Sequence, residues 1–173
     1  MEFTEVVEKR YSAREYRSQA VPDALLERVL AAVDAAPSAV NLQSFKVVVV
    51  TDESKRRRIA ELCGPQKWMV QAPVHLCFFA DPDNYRAVRG ENPRAERLAF
   101  QDATIAAAYA QLAATDVGLA TCWVGRGLDA PVGKFLGLPQ SLKFAVVITL
   151  GYAADAPEPR ERKGPAAWCI RER

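Results

Sequence analysis

The residues best suited to chemistry stand near the start of the chain, where Arg10, Ser12 and Arg14 occupy alternate positions. Arginine presents a planar fork of N–H donors and serine adds a hydroxyl, a combination that suits a phosphate monoester. We expect this motif to lie in the first helical or turn-like segment. A second basic pair, Arg160 and Arg162, stands near the other end of the sequence. If the fold brings these two regions together, they form one anion site.

The basic groups also have simpler interpretations. Arg10 and Arg14 can pair with Glu8 or Glu15, and the late arginine pair can be a solvated tail. The Lys-Arg-Arg-Arg run at 55–58 lies on a predicted helix between acidic residues, which favours a solvated face over a nucleic-acid site.

Composition narrows the possible partners. The formal net charge of the 173 residues is only +2, which does not require nucleic acid or an anionic membrane as a partner. No apolar stretch is long enough to span a bilayer, and the acidic start at 1–5 lacks a signal-peptide pattern, so we expect a cytoplasmic protein. With 50% hydrophobic and 25% charged residues, the sequence predicts one globular domain over residues 1–173.

The cysteines and the histidine give no sign of a metal or a hydrolytic site. The cysteines at 63, 77, 122 and 169 have neither CxxC nor zinc-ligand spacing, so we expect reduced thiols and no metal. The single histidine, His75, lies in an apolar run and is expected in the core or on a sheet face. No GxGxxG follows a strand and no GxxxxGK[ST] is present, so side chains should hold any bound anion.

The elements that position these residues alternate without a regular βαβ rhythm, which predicts an α+β fold. Runs rich in β-branched residues predict strands at 45–50, 74–80, 121–124 and 144–150. Helical periodicity predicts helices near 2–10, 23–36, 54–63, 94–116 and 131–135. The breaker-rich stretch at 81–95 predicts an irregular surface segment, and 81–97 could act as a lid. The alanine-rich helix at 94–116 is expected in the core or at a subunit interface.

Four segments can be read together in chain order. They are Arg10-x-Ser12-x-Arg14, the loop from 36 to 45, the segment from 118 to 125, and a late group with Leu-Gly-Leu-Pro at 136–139, Leu-Gly-Tyr at 150–152 and Arg160-x-Arg162. This ordered set covers nearly the whole chain and resembles the nitroreductase family of FMN-dependent oxidoreductases. The resemblance implies a nitroreductase-like α+β fold with a central mixed or antiparallel sheet flanked by helices. It also implies an interlocked homodimer with FMN at the subunit interface.

The resemblance assigns the basic residues to the phosphate end of FMN. Arg10, Ser12 and Arg14 match contacts to the phosphate and the ribityl chain. Arg160 and Arg162 match a late pair that closes on the phosphate. Clustered arginines suit this role because they offset the desolvation of a phosphate dianion.

The resemblance assigns two further segments to the flavin ring. Matching positions in the first are Pro37, Ser38, Asn41 and Gln43, with the proline and serine reaching the flavin from the other protomer. Matching positions in the second, beside the isoalloxazine, are Cys122, Val124 and Gly125. Cys122 is also expected to be a buried packing residue, and the neighbouring Trp123 a core aromatic. Where the family commonly has Pro-Trp after this glutamine, the chain has Ser44-Phe45.

The implied activity is ping-pong transfer of a hydride from NAD(P)H, through N5 of FMN, to a small flat acceptor such as a nitroaromatic, a quinone or a flavin. No side chain is named as catalytic, because the hydride chemistry belongs to the cofactor. The sequence leaves open the choice of NADH or NADPH and the physiological acceptor. Alternatives are a specialised flavoenzyme (dehalogenase, ene-reductase or flavin-fragmenting) that contacts its substrate through 81–97, a non-catalytic flavin-binding module, or a domain whose basic ends bind nothing.

Overall fold

A four-stranded antiparallel sheet forms the centre of the computed structural model, which describes residues 1–64, 66–126, 131–158 and 160–172. The strands are β1 (Phe45–Val50), β2 (Val74–Ala80), β3 (Ala120–Val124) and β4 (Lys143–Gly151), in the order β1-β2-β4-β3. All seven residues of β2 are buried because the sheet is covered on both faces. The predicted α+β fold with an antiparallel sheet is confirmed.

Six α-helices are described around this sheet. They are α1 (Phe3–Lys9), α2 (Asp23–Asp34), α3 (Glu53–Leu62), α4 (Pro82–Arg89), α5 (Ala95–Asp116) and α6 (Val132–Phe135). Helix α5 contacts all four strands and packs against α2. Its buried face is mostly alanine, which lets the helix approach the sheet closely and confirms the prediction of a core helix. None of the described helices combines the length and hydropathy needed to cross a bilayer.

Two local predictions are wrong. The stretch at 81–95 contains helix α4, because the Asp81 side chain accepts the Asn84 amide at 3.1 Å as an N-cap and Pro82 occupies the first turn. The motif from Arg10 to Arg14 is extended rather than helical, since α1 ends at Lys9 and the following residues pair with distant strands.

Candidate functional site

The extended segment after α1 is held along one edge of the sheet. Ser12 forms a parallel bridge with Thr121, and the Ala13 amide donates to the Thr121 carbonyl at 3.0 Å. Farther along, Tyr16 forms an antiparallel bridge with Ala153 beyond the end of β4. Because side chains alternate along an extended chain, Arg10, Ser12 and Arg14 share one face while Ala13 is buried on the other.

The three motif side chains lie near Cys122 of β3, because Ser12 is bridged to the adjacent Thr121 and the two arginines share its face. Burial raises the pKa of the Cys122 thiol, while the charge of Arg14, a hydrogen bond from Ser12 and the charge of Arg10 oppose that rise. Among the described residues, neither guanidinium forms an ion pair with a carboxylate. Two cations and a hydroxyl therefore remain available to an anion. We call Arg10, Ser12, Arg14 and Cys122 the anion cluster.

Buried hydrogen bonds fix the backbone of the anion cluster. The Tyr16 hydroxyl lies 2.7 Å from the Thr149 hydroxyl and donates to the Ala13 carbonyl at 3.1 Å. Burial raises the pKa of Tyr16 well above its ordinary value, so the phenol stays protonated. The Thr149 hydroxyl accepts the Cys122 amide at 3.2 Å. These bonds tie the N-terminal segment to β3 and β4 and leave little freedom in the position of the motif.

A second segment, the short 3₁₀ turn Lys67–Gln71, borders the anion cluster and was not predicted from the sequence. The Arg14 guanidinium carbon lies 6.0 Å from the centroid of the Trp68 ring, within cation–π range. The Gln71 side chain accepts the Tyr16 amide at 3.1 Å. The sequence signal was limited to a tryptophan next to Lys67, and no spacing rule connects it to Arg14.

Two buried side chains support this turn from behind. Arg56 Nη1 donates to the carbonyls of Val70 and Ala72, each at 2.7 Å. His75 Nε2 lies 2.8 Å from the Met69 carbonyl, and burial lowers the pKa of His75 to about 4, so the neutral ring donates that bond. The core position predicted for His75 is confirmed. The solvated face predicted for 55–58 is wrong at Arg56, which turns inward to reach these carbonyls.

The rest of β3 divides between the core and the surface. Cys122 and Val124 are each 2% exposed, which confirms the packing role expected for the cysteine. Trp123 is 37% exposed, so the prediction of a core aromatic is wrong. β3 is an edge strand of the described sheet, and alternation places Trp123 on the face opposite Cys122 and Val124. A Cβ atom at the half-buried Gly125 would lie 3.3 Å from Trp123 Nε1. The glycine therefore avoids a tight contact with the tryptophan side chain.

The loop from Pro37 to Ser44 lies at the opposite corner of the sheet. It contains a 3₁₀ turn at Ala39–Asn41 and leads directly into β1. Pro37, Asn41 and Gln43 are exposed. Ser38 is half-buried, and its hydroxyl accepts the Gln43 amide at 2.9 Å.

The strand register shows how far apart these two regions are. The loop joins β1 at Phe45, which pairs with Ala80, and Ala80 pairs with Lys143 of β4. Thr121, beside the anion cluster, pairs instead with Leu150 at the other end of β4. Seven residues of β4 correspond to about 23 Å along the strands, and three strand spacings add about 14 Å across the sheet. One chain therefore does not bring the loop onto its own anion cluster.

The late arginines follow the part of the chain that does return to the N-terminal motif. The Asp155 carboxylate accepts the Arg14 amide at 3.0 Å and the Tyr11 hydroxyl at 3.1 Å. Burial and the bond to Asp155 raise the pKa of Tyr11 to about 12. Arg160 and Arg162 are exposed, and in the described part of the chain they make no hydrogen bond or ion pair with the anion cluster.

Comparison with known proteins agrees with this architecture. The nitroreductase family matches residues 7–66 and 63–152. An NADH dehydrogenase of Thermus thermophilus is 32% identical over 180 residues, covering 89% of this chain and 88% of the relative. An FMN reductase [NAD(P)H] of Bacillus subtilis is 31% identical over 163 residues, covering 86% of this chain but only 66% of that protein. The solved structure of NfrA2 from B. megaterium superposes with a TM-score of 0.92 at 26% identity, covering 100% of this chain and 75% of the other.

The match to the family model spans most of the chain, and the fold and the sequence relatives agree with it. The resemblance drawn from the four ordered motifs is thus confirmed, and this chain belongs to the nitroreductase family.

Proposed function

We propose that this chain is an FMN-dependent oxidoreductase that takes electrons from NADH or NADPH. The observation that carries the proposal is the anion cluster, where two guanidinium groups with no described carboxylate partner flank Ser12. Family membership supports the same conclusion, as do the names of relatives such as the FMN reductase [NAD(P)H] of Bacillus subtilis.

The residues at the two corners fit the two ends of FMN. Arg10, Ser12 and Arg14 would hold the phosphate through charge-assisted hydrogen bonds, which are about twice as strong as neutral ones. Asn41 and Gln43 are exposed amides that donate and accept without titrating, which suits the polar edge of a flavin ring. Arg160 and Arg162, exposed near the end of the described chain, would complete the phosphate site on ligand binding.

We propose further that each FMN site is shared between two copies of the chain. The loop that bears Asn41 and Gln43 lies too far from the anion cluster for one chain to supply both. Helix α5 also presents two partly exposed apolar side chains one turn apart, Ile105 and Tyr109, which suit contact with a second copy. A two-fold dimer would use this surface twice and would build two equivalent sites from opposite corners of the two sheets.

Bound FMN would supply the hydride chemistry, accepting a hydride from NAD(P)H and passing it to a flat acceptor such as a nitroaromatic, a quinone or a free flavin. The chain's own residues would bind the cofactor, orient its ring and keep the cleft open to each reactant in turn, which gives ping-pong kinetics. We propose that 81–97 borders this cleft as a lid, because α4 contacts the loop through Asn84. Arg86 is occupied by Asp83, so an acidic substrate would have to use the exposed Arg89, Arg94 or Arg97.

The visible absorption spectrum of the purified protein tests this proposal. We expect a yellow protein, or a colourless one that takes up one FMN per chain and then oxidises NAD(P)H with an added acceptor. A protein that remains colourless after incubation with FMN would contradict the proposal. Bound FMN without NAD(P)H oxidation would instead indicate the non-catalytic flavin-binding module.

A further inference from the structure

The loop between α2 and β1 stores backbone strain at three positions. Val40, Asn41 and Gln43 have φ angles of 47°, 57° and 49°, all in the left-handed region. Asparagine tolerates this region, but a β-branched valine rarely adopts it. Strain of this kind persists only where surrounding contacts determine the backbone, and such positions cluster at functional sites.

The contact that determines this backbone comes from Asp102 in the middle of α5. Its side chain is nearly fully buried, and the whole residue is 2% exposed. One carboxylate oxygen accepts the Ala39 amide at 2.8 Å, and the other lies 3.4 Å from the Ser44 amide. These two amides flank the left-handed residues. No lysine or arginine in the described ranges pairs with this carboxylate, so the loop amides are its described partners.

The loop is also supported from within and from α4. The Ser38 hydroxyl accepts the Gln43 amide at 2.9 Å, and the Asn84 side chain donates to the Leu42 carbonyl at 2.9 Å. The side chains of Asn41 and Gln43 are exposed, while these hydrogen bonds restrain the loop backbone. Burying a carboxylate is costly unless it is well hydrogen-bonded, so the fold accepts two unfavourable features, a buried charge and a strained valine, in the same loop.

We propose that Asp102 is a positioning residue, which holds this loop in its strained conformation so that Asn41 and Gln43 meet the flavin ring in a fixed orientation. This inference rests on the proposed function. Preorganisation removes the entropic cost of ordering the loop when the cofactor binds. It also fixes the distance between the two amides and the ring, on which their influence on the reduction potential depends.

The test compares two substitutions at Asp102 with a matched control on the same helix. Asp102→Leu keeps the side-chain shape and removes both acceptors, whereas Asp102→Asn keeps one of them. Asp116→Asn makes the second change at the end of α5, where the half-buried carboxylate pairs with the N-terminal amine and Arg28 and does not reach the loop. We expect FMN to bind about tenfold more weakly to the leucine variant and about threefold more weakly to the asparagine variant. The flavin reduction potential should become more negative in the same order, and the control should match the wild type.

A rescue experiment separates loop positioning from a general loss of stability. Val40→Asn relieves strain without the flexibility of glycine, because asparagine tolerates the left-handed region. Added to Asp102→Asn, it should recover most of the lost FMN affinity. Hydrogen exchange of the full chain, at matched flavin occupancy, should be faster at residues 39–44 in both Asp102 variants and should slow again in the double variant.

Three results would overturn the inference. They are unchanged exchange at 39–44 in Asp102→Leu, faster exchange with unaltered FMN affinity and reduction potential, and a double variant with no recovery. If the leucine variant fails to fold, the asparagine variant and the double variant with Val40→Asn test the positioning role of Asp102. A wild-type chain that binds no FMN would overturn the proposed function itself, and the exchange measurement would then show separately whether Asp102 holds the loop.

Discussion

Ser12 lies beside Thr121 in a parallel bridge, which attaches the N-terminal motif to the edge of the sheet. The Gln111 side chain donates to the Thr121 hydroxyl at 3.1 Å, so helix α5 supports the same point from behind. Through this bridge, a segment with no regular secondary structure of its own acquires a fixed position. The anion cluster is therefore attached to the edge of the sheet through buried contacts.

Replacing Arg10 with alanine tests the role of the anion cluster. If its guanidinium donates to the FMN phosphate, Arg10→Ala should weaken FMN binding by about 1.5–3 kcal/mol. Arg17→Ala is the matched control, because Arg17 is exposed on the same extended segment but lies outside the cluster. Equilibrium fluorescence titration measures both. Equal FMN affinity in Arg10→Ala and the wild type would contradict the assignment.

Replacing Arg56 with methionine tests the support behind Trp68. The change leaves the carbonyls of Val70 and Ala72 without their donor, so the free energy of unfolding should fall by about 3 kcal/mol. Arg57→Met removes only an exposed pair with Glu53 and should cost less than about 1 kcal/mol. Urea unfolding of the two variants gives the comparison. Similar losses at both positions would show that Arg56 has no special structural role.

The buried His75 predicts a pH dependence of stability. Burial lowers its pKa from 6.5 to about 4 in the folded chain, so between these values the unfolded chain binds a proton that the folded chain does not. The contribution of neutral His75 to the free energy of unfolding is therefore fully present above pH 6.5. It falls as the pH drops toward 4, with a loss of up to about 3 kcal/mol.

His75→Gln provides the control for this pH dependence, since glutamine keeps a donor for the Met69 carbonyl but does not titrate near neutral pH. Denaturant unfolding between pH 7 and 5 should show a smaller loss of stability in the variant than in the wild type. Because His75 is the only histidine in the chain, no other imidazole contributes. Identical slopes in the two proteins would disprove the prediction.

The hydroxyl of Ser44 is buried and has no hydrogen-bond partner among the described residues. Removing an unsatisfied buried hydroxyl recovers its desolvation cost. The free energy of unfolding of Ser44→Ala should therefore equal that of the wild type or exceed it by up to about 1 kcal/mol. Thr149→Ala is the contrasting variant, because its hydroxyl bonds to Tyr16 and to Cys122, and it should destabilise the chain. Thermal denaturation distinguishes the two, and a destabilised Ser44→Ala would contradict the interpretation.

The elements that follow local rules were predicted well from the sequence. Strand β2 has the predicted bounds, 74–80. The alanine-rich helix was predicted at 94–116, within one residue of the bounds of α5. Helix α4 was missed although its signals were present, since Asp81 followed by Pro82 is a typical helix start. The many charges around these residues suggested an irregular segment, but several pair within the segment, as Arg86 does with Asp83.

The parts that sequence analysis missed depend on contacts between distant residues. Arg56 is buried only because the carbonyls of Val70 and Ala72 lie within its reach. The extended conformation of the Arg10–Arg14 motif depends on pairing with Thr121, and no local pattern encodes that partner. Asp102 looks like one polar residue among alanines, and only the folded loop shows what it binds. The cofactor contacts carried over from the family remain predictions.

Subunit mixing is the most direct test of the proposal that each FMN site is shared between two chains. One variant loses the phosphate end, through Arg10→Ala and Arg14→Ala, and the other loses the ring end, through Asn41→Ala and Gln43→Ala. Each should be nearly inactive in FMN-dependent NAD(P)H oxidation. After the two are unfolded and refolded together in equal amounts, half of the dimers are mixed and each mixed dimer has one intact site, so activity should return to about a quarter of the wild-type value. A mixture no more active than its components would contradict a site shared between two chains.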